Sequence, residues 1–201
     1  MNRSIKYNLY SLFYNILEFP LEKLLFSKWR KIYIPNLKGK VLEIGVGTGK
    51  NLKYYSNNVE LTAIDINQGM LNKAIKESKR NYKLLQMDAQ DLKFKENTFD
   101  YVLCTFVLCS VPNPVKTLKE MKRVLKPKGE IIMLEHVLSK NKLIRLYQDI
   151  HNPFTKFLFS CNVNRNTIEN IKKANLKIKT EKNLALKDVF KFIICKKNQK
   201  Y

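Results

Sequence analysis

Short apolar runs alternate with stretches of helical periodicity along most of this chain. The runs close with glycine or polar residues, as buried strands do, and they span residues 41–45, 60–65, 82–87, 99–106 and 130–138. Between the last two runs a helix is predicted over 114–125, with Val115, Leu118, Met121 and Leu125 on one stripe. Two further helices are predicted over 50–55 and 68–80. The alternation predicts a parallel sheet with right-handed crossovers, an open α/β fold.

The C-terminal part has a different pattern. A helix is predicted over 164–174, followed by two strands over 176–181 and 188–196, the second antiparallel at the sheet. Two segments, 7–33 and 140–165, fall outside the regular alternation. Ligands of open α/β sheets bind beyond the carboxyl ends of the strands, so we expect these extra segments to close over that crevice.

Composition favours one globular domain. The chain has 201 residues, of which 45% are hydrophobic. No apolar run reaches the roughly 18 residues that a membrane-spanning helix needs.

Polar residues interrupt the apolar start of the chain and no small-residue cleavage site follows, so we expect a cytoplasmic protein without a signal peptide. The four cysteines form no CxxC pair, and their spacing along the chain predicts neither a disulfide framework nor a metal site.

The formal net charge is +21, from 38 basic and 17 acidic residues. Such an excess attracts nucleic acid or an anionic membrane surface. Most of the basic residues are lysines spread along the chain, which is also what a solvated surface or a biased genome composition produces. Charge alone therefore leaves the partner open.

One glycine-rich motif carries chemistry. Glu43 stands two residues before Gly45, Gly47 and Gly49, between the first strand and a helix. Glycines at such a turn let the backbone bend sharply and approach a ligand. The spacing, GxGxG after an acidic residue, resembles motif I of the class I S-adenosylmethionine-dependent methyltransferases, in particular the ubiquinone/menaquinone-type and phospholipid/thiol group with a type 11 methyltransferase domain. This resemblance implies a Rossmann-like, open, mostly parallel seven-stranded sheet with helices on both faces and a C-terminal antiparallel strand.

The resemblance also implies a set of residues that bind S-adenosyl-L-methionine. Asp65, at the end of the second strand, would accept hydrogen bonds from the ribose hydroxyls. Asp88 would hold the adenine amino group while Ile66 and Met87 sandwich the ring. Residues 99–100 and 125–130 match further family segments. The implied cofactor-binding set is Glu43, Gly45, Gly47, Gly49, Asp65, Ile66, Asp88, Ala89 and Thr105.

The sulfonium of this cofactor makes its methyl group electrophilic, so the protein has to align a nucleophile in line with the sulfur–methyl bond. A quinol hydroxyl or ring carbon benefits from a general base, whereas an amine or thiolate attacks once it is deprotonated. His136, at the end of the fifth strand, is a candidate base at neutral pH. A structural histidine bonded to a loop carbonyl is the alternative.

A second cluster lies in the irregular segment. Asp149, His151, Asn152 and Pro153, followed by Cys161, Asn164, Arg165 and Thr167, resemble a segment of the small phospholipid, ubiquinone-type and thiol methyltransferases. In that group it forms part of the acceptor side, which makes Asp149, His151 and Arg165 candidate substrate residues. A glycine commonly precedes the cysteine there, whereas this chain has Ser160. Cys161 is either a packed cysteine or a reactive thiol, and Arg165 also fits an ordinary helix start.

The N-terminal segment around Tyr7 and Tyr14 resembles the family's tyrosine-rich lid, with Asn8 and Asn15 replacing two acidic residues. Tyr14 would then lie near the methionine end of the cofactor as a second candidate catalytic residue. Residues 19–34 fit either an interfacial membrane helix or an amphipathic helix packed on the sheet. We therefore expect a helical lid over 1–36, a cofactor-binding core over 37–138 and an acceptor-side segment over 139–201.

Three functions follow as hypotheses. The first is methyl transfer to a small-molecule or lipid-like acceptor: a phospholipid headgroup amine, a quinol or a thiol. The second is an RNA methyltransferase, which only the charge favours, because residues 104–109 lack the Asn/Asp-Pro-Pro-aromatic tetrad of adenine-methylating enzymes. The third is a non-catalytic protein that binds the cofactor and interacts with a partner. The sequence determines neither the acceptor atom nor the oligomeric state.

Overall fold

The computed structural model describes residues 22–198. The predicted lid around Tyr7 and Tyr14 lies outside these residues. Seven strands form a sheet in the order β3-β2-β1-β4-β5-β7-β6. The strands are β1 (Gly39–Ile44), β2 (Val59–Asp65), β3 (Lys83–Gln86), β4 (Phe99–Thr105), β5 (Leu125–His136), β6 (Leu176–Ala185) and β7 (Phe190–Lys197). The helices are α1 (Ser27–Tyr33), α2 (Gln68–Glu77), α3 (Pro114–Val124), α4 (Lys142–Phe159) and α5 (Thr167–Lys173).

The chain divides into two compact units, one up to Asp88 and one from Ala89. In the first unit, β1, β2 and β3 pair in parallel, as predicted. The side chains of Leu42, Ile44 and Ile64 are fully buried in its core. Helix α2 begins where the side chain of Asn67 accepts a hydrogen bond from the Met70 amide at 2.9 Å.

The segment that enters the first unit packs its large side chains inward. A π-helical turn (Glu22–Phe26) leads into α1. Phe26, Trp29 and Ile34 are buried, whereas Leu24 and Ile32 are exposed. Of the two interpretations of residues 19–34, the described part therefore fits the packed helix better than the interfacial one.

In the second unit, β4 and β5 are parallel, and β7 pairs antiparallel with both β5 and β6. The predicted C-terminal antiparallel strand is thus confirmed. Helix α3 buries Leu118 and Met121, two positions of its predicted stripe. Gly129 lies inside β5, where a Cβ atom would stand 2.7 Å from the Asp100 carbonyl oxygen, so only glycine fits this close approach of two strands.

Several predicted boundaries were wrong. The helix predicted over 50–55 is only a 3-10 turn (Leu52–Tyr54), because Tyr55 is extended and buries its ring. The fifth strand starts at Leu125 rather than at residue 130. The last helix starts at Thr167 because Asn166 caps it, accepting from the Glu169 amide at 3.2 Å.

The irregular segment 140–165 contains the longest helix among the described residues, the 18-residue α4. Asn141 caps its start, with its side chain accepting from two backbone amides at 3.2 Å each. Gln148 is the buried residue of this helix: it accepts from the Ser139 amide at 2.9 Å and donates to the carbonyls of Val137 and Val163. Through these bonds α4 is fixed to the chain on either side of it.

Candidate cofactor and acceptor sites

The glycine turn after β1 has the backbone that its sequence predicts. Gly45, Gly47 and Gly49 have φ values of +67°, +56° and +86°, in the left-handed region that favours glycine. A Cβ atom at Gly47 would meet no atom within 4 Å, so the face of the turn at this position is open. A Cβ atom at Gly49 would stand 3.1 Å from the Ala74 Cα atom, so this glycine allows the turn to pack against α2.

Asp65 holds the turn. Its Oδ2 atom accepts a hydrogen bond from the Gly47 amide at 2.9 Å, and its Oδ1 atom accepts from the Asn67 amide at 2.8 Å. Burial raises the pKa of this carboxyl, and the backbone hydrogen bonds oppose the shift. Each carboxylate oxygen has a second lone pair, so Asp65 retains acceptor capacity for ligand hydroxyls.

Glu43 is fully buried at the centre of a side-chain network. Its carboxylate accepts from the Asn51 amide group and from the Tyr55 hydroxyl, both at 2.7 Å, and Asn51 in turn accepts from Arg30 at 2.9 Å. Burial raises the pKa of Glu43 to about 7, against the opposing effect of these hydrogen bonds. Both oxygens of Glu43 therefore brace the segment that follows the glycine turn.

The remaining residues of the predicted cofactor set differ in exposure. Ile66, directly after Asp65, is 57% exposed, which leaves an apolar surface free beside the carboxylate. Asp88 is half-buried at the end of the first unit. Ala89 and Thr105 belong to the second unit, where both are buried.

In the second unit, His136 ends β5 and is half-buried. Its Nε2 atom lies 3.4 Å from the Cys161 Sγ atom, a partner that neither interpretation of this histidine anticipated. Burial on its own lowers the pKa of His136, but the hydrogen bond and charge of Cys161 and the charge of Glu135 outweigh it, so the pKa is raised.

Glu135, next to His136, is 1% exposed. Its Oε1 atom accepts from the amides of Val107 and Leu108 at 2.9 and 3.2 Å, and from the Cys104 thiol at 3.3 Å. Its Oε2 atom is buried without a hydrogen-bond partner among the described residues. Burial raises the pKa of Glu135 to about 7, against the opposing backbone hydrogen bonds. The carboxyl thus ties β5 to the loop after β4, which begins with Phe106 at φ +57°.

The three predicted substrate residues do not share one environment. Arg165 donates to the carbonyls of Cys109 and Val111 at 3.2 and 3.0 Å, and its Nε atom is buried without a partner within residues 22–198. Asp149 is exposed on α4 and accepts from the Asn164 amide group at 2.9 Å. His151 is exposed and stacks on the Tyr147 ring at 3.9 Å.

A family model described as a methyltransferase domain matches residues 42–133. The thiol S-methyltransferase TMT1B of Rattus norvegicus is 34% identical over 164 residues, which cover 74% of this chain and 67% of that protein. The chain belongs to the class I S-adenosylmethionine-dependent methyltransferases. S-Adenosyl-L-methionine is the cofactor that this membership implies.

Another relative of this methyltransferase has a different named acceptor. A phosphatidylethanolamine N-methyltransferase of Cereibacter sphaeroides is 40% identical over 103 residues, which are 49% of this chain and 51% of that protein. The chain thus spans about half the length of this relative. Among solved structures, a chain in the complex between the Trm112 methyltransferase activator and a methyltransferase of Haloferax volcanii has a TM-score of 0.76 at 14% identity. It covers 99% of this chain and 100% of its own length, and this likeness shows the fold alone.

Sequence reasoning missed several residues that organise both units of the methyltransferase. Arg30, Asn51 and Tyr55 converge on Glu43 from positions with no recognisable spacing. The spacing of the cysteines predicts no metal site, yet the ligand atoms of Cys109, His136 and Cys161 lie within 4.8 Å of one another. No sequence signal could have found this cluster, because its members come from three separated segments.

Proposed function

We propose that this methyltransferase transfers the methyl group of S-adenosyl-L-methionine to a lipid-like acceptor at a membrane surface. The observation that carries the proposal is the outward face of α4. Seven large apolar side chains of this helix are exposed: Leu143, Leu146, Tyr147, Ile150, Phe154, Phe157 and Leu158. Leu143 is 80% exposed and Phe157 69%, values unusual for large apolar residues.

These side chains form one continuous stripe. At 3.6 residues per turn, the seven positions fall within about 120° of the helix circumference. The buried Gln148 lies outside this stripe, and its hydrogen bonds fix the side of α4 that faces the protein. The apolar stripe is therefore held outward by the fold rather than exposed by fraying.

Charge favours an anionic bilayer as the occupant of this stripe. Lys142 stands on α4 at the edge of the apolar stripe, Lys156 and Arg145, the latter paired with Asp149, stand further round the helix, and the whole chain carries +21. An amphipathic helix of this kind binds in the plane of a membrane, with the apolar side chains among the acyl chains and the basic ones at the headgroups. Within residues 22–198, no helix is long and apolar enough to cross a membrane.

A lipid acceptor would explain the outward apolar stripe of α4, because such a substrate stays in the bilayer and the enzyme has to reach it there. The named activity of the Cereibacter sphaeroides relative supports a phospholipid headgroup amine. The amine nitrogen would form a bond to the methyl carbon as the sulfur–methyl bond breaks in line with it. The sulfonium leaves as a neutral thioether, and the proton of the amine goes to solvent or to a base. His136 remains a prediction for that base, and Tyr14 remains a predicted catalytic residue near the methionine end of the cofactor.

A thiol acceptor is the second candidate. The thiol S-methyltransferase of rat aligns with 74% of this chain. A thiol would have to lose its proton before attack, for which the raised pKa of His136 suits a general base. A small water-soluble thiol would not need the outward face of α4, so dependence of the activity on vesicles separates the two candidates.

The test combines vesicle binding with methyl transfer from labelled cofactor. The double variant Ile150→Glu/Phe157→Glu places two carboxylates on the stripe, and Ile75→Glu, at a position also exposed but on α2, is the matched control. We expect the double variant to bind anionic vesicles roughly 100-fold more weakly and to lose lipid methylation, since each buried side chain contributes about 1.5 to 3 kcal/mol. The control should behave as the wild type, and both variants should bind cofactor normally.

Two results would overturn the proposal. One is full vesicle binding by the double variant. The other is transfer from the wild-type protein to small thiols, quinols or RNA but to no lipid in an extract. The cofactor affinity of every variant is measured as well. Where it is unchanged, misfolding does not explain either result.

A further inference from the structure

Cys109, His136 and Cys161 bring three metal-ligating atoms together in the second unit, all within 4.8 Å of one another. Cys109 follows β4, His136 ends β5, and Cys161 follows α4. The Cys161 Sγ atom lies 3.4 Å from the His136 Nε2 atom, and the Cys109 thiol donates to the Phe106 carbonyl oxygen at 3.5 Å. Neither the family membership nor the proposed acceptor uses these three atoms as a set.

We propose that this cluster binds a zinc ion through two thiolates and one imidazole. Thiolate and imidazole are the ligands that Zn²⁺ prefers, at about 2.3 Å for sulfur and 2.0 to 2.1 Å for nitrogen. In a tetrahedron with these bond lengths, neighbouring ligand atoms stand roughly 3.3 to 3.9 Å apart. The distance between Cys161 and His136 already lies in this range, and the 4.8 Å limit on the other pairs requires only a small closure.

The backbone holds the two cysteines in register without a metal. The carbonyl oxygen of Cys109 accepts from the Asn162 amide at 3.0 Å, from the Asn162 side chain at 2.8 Å and from Arg165 at 3.2 Å. These donors belong to the segment that carries Cys161. Ligands fixed in this way lose little conformational entropy when an ion binds.

Charge balance suits a buried site. Cys104, Cys109 and Cys195 are buried thiols, and of these three Cys109 belongs to the three-ligand cluster found within residues 22–198. Zn²⁺ with two thiolates and a neutral imidazole carries no net charge, so the ion replaces two thiol protons without adding charge to the interior. Glu135 and Arg165 are the charged groups whose fields reach the cluster.

Three protein ligands leave one tetrahedral position for water. Glu135, the neighbour of His136 in β5, has a buried Oε2 atom without a hydrogen-bond partner among the described residues. Such an oxygen costs about 1 to 3 kcal/mol unless a donor reaches it.

The zinc site is independent of the acceptor proposed above, and it excludes one role for His136. A ring nitrogen that coordinates zinc cannot also accept a proton, so His136 is either a ligand or a base through Nε2. Cobalt spectroscopy of the protein without any acceptor therefore tests the site separately from methyl transfer.

The experiment titrates the full chain, kept reduced with a non-thiol reductant, with Co²⁺ and then displaces the cobalt with Zn²⁺. We expect one ion per chain and the intense near-ultraviolet charge-transfer band of cobalt–thiolate bonds. Cys161→Ser should weaken Co²⁺ binding at least tenfold and roughly halve that band, whereas Cys195→Ser, which removes a buried cysteine outside the cluster, should leave both unchanged.

Alkylation provides a second measurement that needs no variant. Zinc should protect the half-buried Cys161 of the wild-type protein from a thiol reagent, as read by mass spectrometry, while the modification of the buried Cys104 and Cys195 stays the same. Absence of the charge-transfer band, equal binding by Cys161→Ser, or equal alkylation with and without zinc would each overturn the proposal.

Discussion

The two units of the methyltransferase each bury a glutamate whose pKa is raised to about 7, but the two carboxyls are satisfied differently. Both oxygens of Glu43 in the first unit accept hydrogen bonds from side chains. Glu135 in the second unit pairs one oxygen with two loop amides and a thiol and leaves the other unpaired. Arg165, in the same unit, likewise has a buried Nε atom without a partner in the described part of the chain.

This difference corresponds to what each unit is expected to bind. The cofactor is common to the whole family. The protein itself can therefore supply the hydrogen bonds that fix the glycine turn predicted to bind it, as Asp65 and Glu43 do. The acceptor varies between the phosphatidylethanolamine and thiol methyltransferases that resemble this chain. Polar atoms left unpaired in the second unit are groups that a ligand, an ion or water has to complete.

The largest expected effect is at the open face of the first unit. Gly47→Val places a branched side chain where a Cβ atom meets no protein atom within 4 Å, so the space it takes is that of the predicted cofactor. We expect no detectable S-adenosylmethionine binding by titration calorimetry. The positive φ of Gly47 adds a stability loss of about 1 to 2 kcal/mol, which leaves the domain folded.

Gly49→Ala is the matched control for this prediction. Its Cβ atom would stand 3.0 Å from the Leu52 Cδ1 atom and 3.1 Å from the Ala74 Cα atom, so the damage falls on packing. We expect a lower melting temperature and a smaller loss of affinity than for Gly47→Val. Normal cofactor binding by Gly47→Val would mean that the cofactor lies elsewhere.

Asp65→Ala comes next. It removes the acceptor of the Gly47 and Asn67 amides and, on the predicted assignment, the acceptor of the ribose hydroxyls. Hydrogen bonds to a charged group contribute about 1.5 to 3 kcal/mol each, so the dissociation constant should rise roughly 100-fold or more. Asp91→Ala, which removes an exposed carboxylate paired with Lys93, should leave the affinity unchanged. Unchanged affinity in Asp65→Ala would refute the ribose assignment.

Substitution of glutamine for each of the two buried glutamates should lower the free energy of unfolding by different amounts. Glu135→Gln keeps the oxygen that accepts from Val107 and Leu108, whereas Glu43→Gln puts an NH₂ group against the donor of Asn51 or of Tyr55. Because the folded-state pKa of Glu135 is raised to about 7, its contribution to stability is fully present below its ordinary pKa and is lost as the pH rises through about 7.

Urea unfolding of the wild type and of Glu135→Gln at pH 5 and pH 8 measures that contribution. The wild type should lose about 2 kcal/mol more of its unfolding free energy over this interval than the variant does. Glu43→Gln should be destabilised at both pH values. An identical pH dependence in wild type and Glu135→Gln would show that this carboxyl is ionised or solvated in the native state.

The periodic parts of the fold were predictable from sequence, and the reason is physical. Strands buried on both sides are continuous apolar runs, and α3 shows its buried stripe at helical spacing, so both patterns survive without tertiary information. The glycine turn was predictable because its positive φ values favour glycine, whereas the contact of Asp65 with the ribose hydroxyls stays a prediction.

What the sequence could not predict depends on distant partners. The helix expected over 50–55 shortens to a turn because Tyr55 reaches Glu43, twelve residues earlier. The apolar stripe of α4 resembles a core-facing helix until the structure shows which side Gln148 holds inward. The thiol–imidazole cluster joins segments separated by 25 residues or more, which no local spacing signals.

The smallest expected effect concerns Ser160, where this chain departs from the glycine that commonly precedes the cysteine. Ser160 ends α4 with φ +54°, the left-handed conformation that glycine adopts without strain, so the serine preserves the backbone at an energetic cost. We expect Ser160→Gly to raise the unfolding free energy by about 1 kcal/mol and the melting temperature by about 2 to 4 °C. Asn175→Gly, at a second position with φ +54°, should give a smaller gain, because asparagine tolerates this conformation better than serine does. A lower stability of Ser160→Gly would mean that the serine side chain makes a compensating interaction.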